Sequence, residues 1–260
     1  GKARGSRAGK GPLRPPETYG WLSTRPLHVL VFLLPLLLLY EIGSVLYLTD
    51  PTRHTVETIR AHRLLGGFFE AFGVGGFFLP GMLIIVVLLL WHVLERDRWK
   101  VRPGVLGMML GESAVWTLPL LVLWQVVATA APKAGLAGVE PTDLGALSTP
   151  ARLTISIGAG LYEELLFRLA GIALVHAIAA DIAKLKPSTS AVVSVIGTAV
   201  AFALYHVSPG AGIDWVVLIF HFLAGLYLGG LYVWRGFGVV VATHALYDVV
   251  VLVLLPAGAG

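Results

Sequence analysis

Seven stretches of this sequence are each apolar enough and long enough to cross a lipid bilayer as a helix. A crossing needs about 20 mostly apolar residues, because the hydrocarbon layer is ~30 Å thick and a helix rises ~1.5 Å per residue. The composition agrees, since 57% of the 260 residues are hydrophobic and only 13% are charged. We therefore predict an all-α, polytopic membrane protein with about seven transmembrane helices. The predicted spans are residues 28–49, 75–94, 104–131, 151–180, 188–207, 214–234 and 237–255.

The polar segments divide the chain into four parts. Residues 1–26 are basic and rich in Gly and Pro, which predicts a flexible tail. Residues 27–149 hold the first three spans and, within 52–72, a mixture of charged and apolar residues typical of a helix that lies in the membrane interface. Residues 150–255 contain the unusual polar residues discussed below, and 256–260 form a short second tail.

The distribution of Lys and Arg predicts the orientation of the chain. These residues concentrate in the tail and in the loop RDRWKVR at 96–102, which places the amino terminus in the cytoplasm. The basic tail then serves as an orientation signal that faces lipid, and no nucleic acid is expected as a partner. Compact loops and the lack of a eukaryotic sorting motif favour a bacterial inner membrane. The chain has no Cys, which excludes thiol catalysis, disulfides and cysteine-bound metal.

Several ionisable residues lie inside the predicted spans, where a charge costs about 2.5 to 3.5 kcal/mol on insertion scales. Such residues usually face the protein interior or a water-filled cavity, and they usually have a function. The candidates for a functional site belong to the last four spans. They are Glu163, Glu164, Arg168, His206, His221, His244 and Asp248.

Helical spacing separates the two adjacent carboxylates. Glu164 and Arg168 are four residues apart, so they share a helix face and can form an ion pair. Glu163 lies about 100° away around the helix and is less well paired. An unpaired carboxylate in a water-poor cavity is a useful general base. We therefore predict a structural pair, Glu164 with Arg168, beside a reactive Glu163.

The histidines also have simpler interpretations. His244 and Asp248 share a helix face, and their role could be limited to a hydrogen bond that joins two helices. His206 could simply reach toward the membrane interface. However, three neighbouring spans each supply a base, a hydrogen-bond donor or both, and sites in helical bundles are assembled from facing helices in this way. The Gly residues nearby are expected to allow close helix packing. They are Gly158, Gly160, Gly171, Gly225, Gly229 and Gly230.

Three motifs in this order carry a resemblance to a known family. EExxxR at 163–168, FxxxH from Phe202 to His206, and HxxxD from His244 to Asp248 resemble the motif set of the CPBP family. This family comprises CAAX proteases and bacteriocin-processing enzymes and is also called the abortive-infection family. The Gly-rich stretch FHFLAGLYLGGLYVW at 220–234 is similar to the family's span before the last motif. The likeness covers about residues 150–255, which would be the catalytic core.

The resemblance implies an intramembrane glutamate endopeptidase that needs no cofactor. In this family's pattern Glu163 would activate water with help from His206, whereas His244 and Asp248 would stabilise the oxyanion. An ionised Asp cannot donate a hydrogen bond, so we expect Asp248 to orient His244, which donates. Glu164, Arg168 and Phe202 would support the site. The implied partners are membrane lipids and a membrane-anchored protein or peptide substrate, either a prenylated CAAX-type protein or a bacterial peptide or sorting signal.

Three other interpretations remain open from the sequence. His206, His244 and Asp248 could bind zinc with Glu163 as base, although the HExxH signature of intramembrane metalloproteases is absent. Ser113 in GESA and His221 weakly suggest a rhomboid-like serine protease. A non-enzymatic membrane protein, such as an immunity protein or a transporter, could use the same polar residues for binding. GAGID at 210–214 does not match the GxGD signature of aspartyl proteases, so we expect Asp214 to be a loop residue or a helix cap.

Overall fold

The computed structural model describes residues 17–50, 55–56, 59–133, 147–207 and 212–255, and within these ranges the chain is almost entirely helical. One two-residue antiparallel ladder pairs Thr49 with Val56 and Asp50 with Thr55. The elements are α1 (Tyr19–Leu22), α2 (Pro26–Tyr47), β1 (Thr49–Asp50), β2 (Thr55–Val56), α3 (Arg60–Ala71), α4 (Leu79–Glu95), α5 (Pro103–Lys133), α6 (Thr149–Gly158), α7 (Ala173–Ala177), α8 (Pro187–Tyr205), α9 (Trp215–Arg235) and α10 (Phe237–Asp248).

The prediction of an all-α membrane protein with about seven spanning helices is confirmed. Among the described residues, six helices are long and apolar enough to cross a membrane, and the shorter apolar helix α4 has 17 residues. The predicted second span, 75–94, begins only at Leu79, and Pro80 lies in the first turn of the helix, where its missing N–H leaves no helical hydrogen bond unmade. The other candidate spans are Pro26–Tyr47, Pro103–Ala130, Thr149–Ile182, Pro187–Tyr205, Trp215–Arg235 and Phe237–Leu254.

Helix α10 lies at the centre of the bundle. It packs against α2, α5, α6 and α9 and against the helical residues Ala159–Glu163. Val239, Val240 and Val241 are fully buried, which is unusual for a span that would otherwise face lipid on one side. The polar residues Thr243 and His244 of α10 are therefore buried within the bundle.

One glycine allows the close approach on which the site depends. A Cβ atom on Gly160 would lie 2.7 Å from the Cβ of Ala245 and 2.8 Å from the carbonyl oxygen of Val241, so only glycine fits here. This contact brings the two glutamates against α10. The sequence analysis also predicted a close helix contact at Gly230. That prediction is wrong, because a Cβ atom there would meet nothing within 4 Å.

Ordered helical structure begins before residue 27, closer to the amino terminus than expected. Residues 17–26 were predicted to belong to a flexible tail, but Leu22 and Ser23 are buried against the bundle. The rest of that tail lies outside the described residues, as do residues 256–260.

Arg235 at the end of α9 binds both carboxylate oxygens of Glu112, at 2.5 Å and 2.7 Å, and Tyr19 donates a hydrogen bond to the same carboxylate. This network attaches the amino-terminal segment to α5 and α9.

Helix α3 is the amphipathic helix expected within 52–72. Leu64 and Phe68 are exposed, whereas His62 is buried between the rings of Tyr40 and Tyr162. Burial lowers the pKa of His62 to about 4, so this imidazole is neutral at pH 7. The buried histidine thus fixes α3 to the residue next to Glu163.

Candidate active site

Glu163 and Glu164 lie where the long helix Thr149–Ile182 changes its winding. The helix is α-helical through Gly158, whereas Ala159–Glu163 and Leu165–Ile172 form π-helical turns. Such turns are rare and frequently mark functional sites, because they redirect side chains within an otherwise regular helix. The segment therefore departs from regular α-helical winding, although the four-residue spacing from Glu164 to Arg168 still brings those two side chains together.

Glu163 is buried and faces two imidazole rings. Its Oε2 atom lies 3.6 Å from Nε2 of His206 and 4.0 Å from Nε2 of His244. Within the described residues this oxygen has no hydrogen-bond partner, and no Lys or Arg forms an ion pair with Glu163. Both distances exceed a direct hydrogen bond, and a water molecule beside these atoms, in the cavity that they line, can bond to them.

A small cavity joins these groups. It has a volume of about 70 Å³, and a water molecule needs roughly 10 to 15 Å³ of such space. Its polar lining can hold water by hydrogen bonds, which an apolar cavity of this size could not. The ionisable side chains that line it are Glu163, His206, His221, His244 and Asp248.

The orientation of His244 is set by Glu164. Nδ1 of His244 lies 2.7 Å from Oε1 of Glu164, and the same oxygen accepts a hydrogen bond of 2.8 Å from Nη1 of Arg168. A carboxylate can only accept, so Nδ1 carries the proton and Nε2 is directed into the cavity. The guanidinium of Arg168 also lies 4.3 Å above the ring of Phe202, which adds a cation–π contact.

This arrangement differs from the expected role of Asp248. Oδ2 of Asp248 lies 3.6 Å from Nε2 of His244, which is too long for a direct hydrogen bond. The sequence suggested that Asp248 orients His244 and that Glu164 serves only the ion pair. Instead, Glu164 both pairs with Arg168 and orients His244. Asp248 faces the cavity on the Nε2 side of the His244 ring.

His206 is held by its own helix and by a third histidine. Its Nδ1 lies 2.9 Å from the carbonyl oxygen of Phe202, so Nδ1 donates and Nε2 faces Glu163. The ring of His221 stacks on that of His206, with centroids 3.8 Å apart and planes 14° from parallel. Nδ1 of His221 in turn donates to the carbonyl oxygen of Val217 at 2.7 Å.

The sequence analysis did not assign His221 to this site. Its signal was an ionisable residue inside a span, placed at helical spacing from Ala224 and Leu228, which line the same cavity. The stacked geometry predicts a positioning role. We expect His221→Ala to lower kcat about tenfold or more with little change in KM, since small displacements of catalytic groups are costly. His221→Phe preserves a flat ring and should retain most of the activity. If His221→Phe were as inactive as His221→Ala, the imidazole itself would be needed and a purely positioning role would be contradicted.

The serine-protease alternative finds no support in the contacts of Ser113. Its hydroxyl is fully buried and lies 2.8 Å from the carbonyl oxygen of Met109 and 3.3 Å from that of Val239, whereas His221 is stacked on His206. Asp214 is a helix cap, as expected, because its side chain accepts a hydrogen bond from the backbone N–H of Val217. Among the described side chains, no group of three or more His, Asp or Glu is arranged to hold a metal ion.

The fold and the site together define a polytopic helical membrane protein with a buried glutamate–histidine centre. Residues 145–250 match the family model described as Type II CAAX prenyl endopeptidase Rce1-like. The resemblance to the CPBP family is thereby confirmed for this part of the chain, and the match points to a CAAX-type intramembrane peptidase. No curated protein and no solved structure matches the chain.

Proposed function

We propose that this protein is a glutamate-type intramembrane peptidase that hydrolyses a peptide bond of a membrane-anchored protein or peptide. The observation that carries the proposal is the carboxylate of Glu163, which is buried and lies 3.6 Å from Nε2 of His206 and 4.0 Å from Nε2 of His244 at a cavity large enough for water. Amide hydrolysis needs a deprotonated water, a stabilised oxyanion and a protonated leaving amine. Glu163 with His206 can supply the first and the third, and His244 can supply the second.

The reaction begins with a water molecule between Glu163 and His206. Glu163 accepts a proton from this water as the oxygen attacks the carbonyl carbon of the scissile bond, and the carbonyl oxygen becomes the oxyanion. Nδ1 of His244 is held by Glu164, and its Nε2 lies 4.0 Å from Glu163 and 3.6 Å from Asp248, so a protonated ring would present Nε2–H to the cavity. Its Nε2–H then donates to the oxyanion. The proton held by Glu163 passes to the leaving nitrogen, and the C–N bond breaks to give a carboxylic acid and an amine.

The test uses the purified protein in lipid nanodiscs with three peptides. One ends in a farnesylated CAAX sequence, the second is the same peptide without the lipid, and the third is a bacterial leader peptide with an apolar anchor. We expect cleavage of an anchored peptide, with products identified by mass spectrometry. Cleavage of the farnesylated peptide alone would assign a CAAX-type substrate, whereas cleavage of the leader peptide would assign peptide maturation. If a well-folded preparation cleaved none of the three, the proposal would lose its support.

We further propose that the reaction needs no metal. The support is the donor set, since no three His, Asp or Glu side chains of the described residues are arranged to hold a metal ion and the sequence lacks the HExxH signature. We expect activity to survive dialysis against a zinc chelator, and elemental analysis to find less than stoichiometric zinc. Loss of activity that zinc alone restores would instead support the set His206, His244 and Asp248 as ligands.

We also propose a bacterial inner-membrane location with the amino terminus in the cytoplasm. The basic residues Arg25, Arg96, Lys100 and Arg102 lie at helix ends on one face of the bundle, as the orientation rule requires. Reporter fusions after the end of α5 and before the start of α6 test this arrangement. A reporter active only in the cytoplasm should be silent there, and activity would contradict the orientation.

A further inference from the structure

A second polar pocket is formed by residues 17–28 and 92–102, outside the catalytic core. It lies where the amino-terminal ends of α2 and α5 meet the carboxy-terminal end of α4. We call it the basic pocket and define it by Arg25, His28, His92, Arg96, Lys100 and Arg102. Its volume of about 410 Å³ falls in the range of small-molecule sites. The pocket opens at the face of the bundle that carries the basic loop 96–102.

Cations exceed carboxylates in the lining. The acidic side chains are already engaged, since Arg25 binds Glu95 at 2.7 Å and Asp97 at 2.6 Å, and Arg102 binds Glu17. Arg96 and Lys100 form no ion pair within the described part of the chain. The amino-terminal ends of α2 and α5 add the partial positive charge of their free N–H groups. The pocket therefore has an excess of positive charge that no side chain neutralises.

His92 provides an independent sign that a ligand is missing. The residue is only 1% exposed, yet within the described residues neither of its ring nitrogens has a hydrogen-bond partner. A buried imidazole always has at least one N–H to donate, and leaving it unmatched is unfavourable. Its ring packs edge-to-face on Trp99, so the side chain is fixed where it lines the pocket. An acceptor of several hydrogen bonds would satisfy both His92 and the cations.

We propose that the basic pocket binds a phosphate group, supplied by the headgroup of an anionic phospholipid. A phosphate offers several oxygens to guanidinium groups and N–H donors at once, and basic pockets between spanning helices bind such headgroups. Trp99 and Leu94 beside the pocket are strongly exposed, 68% and 70%, as expected for side chains at the boundary with lipid. Free phosphate shares the same chemistry, but it would make no use of this apolar rim.

The test titrates the full-length detergent-solubilised protein with phosphatidylglycerol, phosphatidylcholine or inorganic phosphate and measures bound ligand by native mass spectrometry. The pocket variant combines Arg96→Asn with Lys100→Gln. The control combines Lys184→Asn with Lys186→Gln and removes two exposed cations from the same face. Arg96 and Lys184 both adopt left-handed conformations, with φ of 53° and 55°, so the two variants place Asn in equivalent backbone positions.

We expect phosphatidylglycerol to bind the native protein and the control variant equally, and the pocket variant about 30-fold more weakly, from two cations near the membrane surface. His92→Phe keeps the ring packing on Trp99 and should also weaken binding. Displacement of the lipid by inorganic phosphate would keep the phosphate site but assign it to a soluble ligand. Equal losses in the pocket and control variants, or full binding by His92→Phe, would overturn the proposal, because general attraction to the surface would then suffice.

Discussion

Replacing Glu163 by Gln should abolish peptide cleavage and leave the protein folded. Gln has nearly the same size and shape but cannot accept a proton from water. General-base catalysis contributes about 10²- to 10⁴-fold, and we expect a loss of about 10³-fold or more in kcat. Oε2 of Glu163 has no hydrogen-bond partner within the described residues, so the exchange breaks no direct hydrogen bond at that atom. The measurement is the single-turnover rate of the purified variant on a cleaved peptide.

The adjacent Glu164 supplies the matched control. Glu164→Gln removes the charge that Arg168 and His244 share, so we expect a lower yield of folded protein together with lost activity. Glu163→Gln should instead show the native melting temperature and native yield. A Glu163→Gln protein that still cleaves peptides would remove the proposed base, and a binding role for the same residues would then be the better explanation.

The second large effect concerns stability. Arg168→Met should destabilise the protein by about 3 to 5 kcal/mol, because it removes the guanidinium partner of the buried Glu164 carboxylate. Both side chains of this pair are within 1% of complete burial, so water cannot compensate. The measurement is the yield of monodisperse protein and its thermal denaturation in detergent. The Arg98→Met control loses only an exposed contact of 3.8 Å with Glu17, for which we expect less than about 1 kcal/mol.

A double replacement separates folding from positioning. Removing both partners of a buried ion pair is often neutral for stability, so Arg168→Met with Glu164→Leu should restore much of the folded yield. His244 would still lack the acceptor for its Nδ1–H, and activity should stay low. Full activity in this double variant would contradict the role of Glu164 in orienting His244. Native stability of the single variant Arg168→Met would contradict the stabilising role of the ion pair.

The sequence predicted the helices and the identities of the polar residues, because both follow from the cost of exposing polar groups to lipid. Any ionisable residue inside a span needs a partner or a cavity, which singled out Glu163, His206 and His244 before their distances were known. The ion pair of Glu164 with Arg168 was also predictable, since its residues are four apart in one helix. The structure places Glu163, His206 and His244 around one cavity, and the pair of Glu164 with Arg168 reaches it only through the contact of Glu164 with His244.

Contacts between helices could not be predicted in the same way. The link from Glu164 to His244 depends on how closely α10 approaches the long helix, and that distance is set by packing at Gly160. The π-helical turns around the glutamates have no periodicity signal that a sequence shows. The stacking of His221 on His206 joins two helices whose relative rotation is fixed only by the assembled bundle. Each of these features belongs to tertiary packing.

The central claim is that this protein cleaves other membrane proteins with Glu163 as the base. Its most direct test compares the termini of membrane proteins, by quantitative mass spectrometry, in cells that carry the native copy or a Glu163→Gln copy at equal expression. We expect a defined set of new termini with the native copy and their absence with Glu163→Gln. Identical termini in the two strains would contradict the claim.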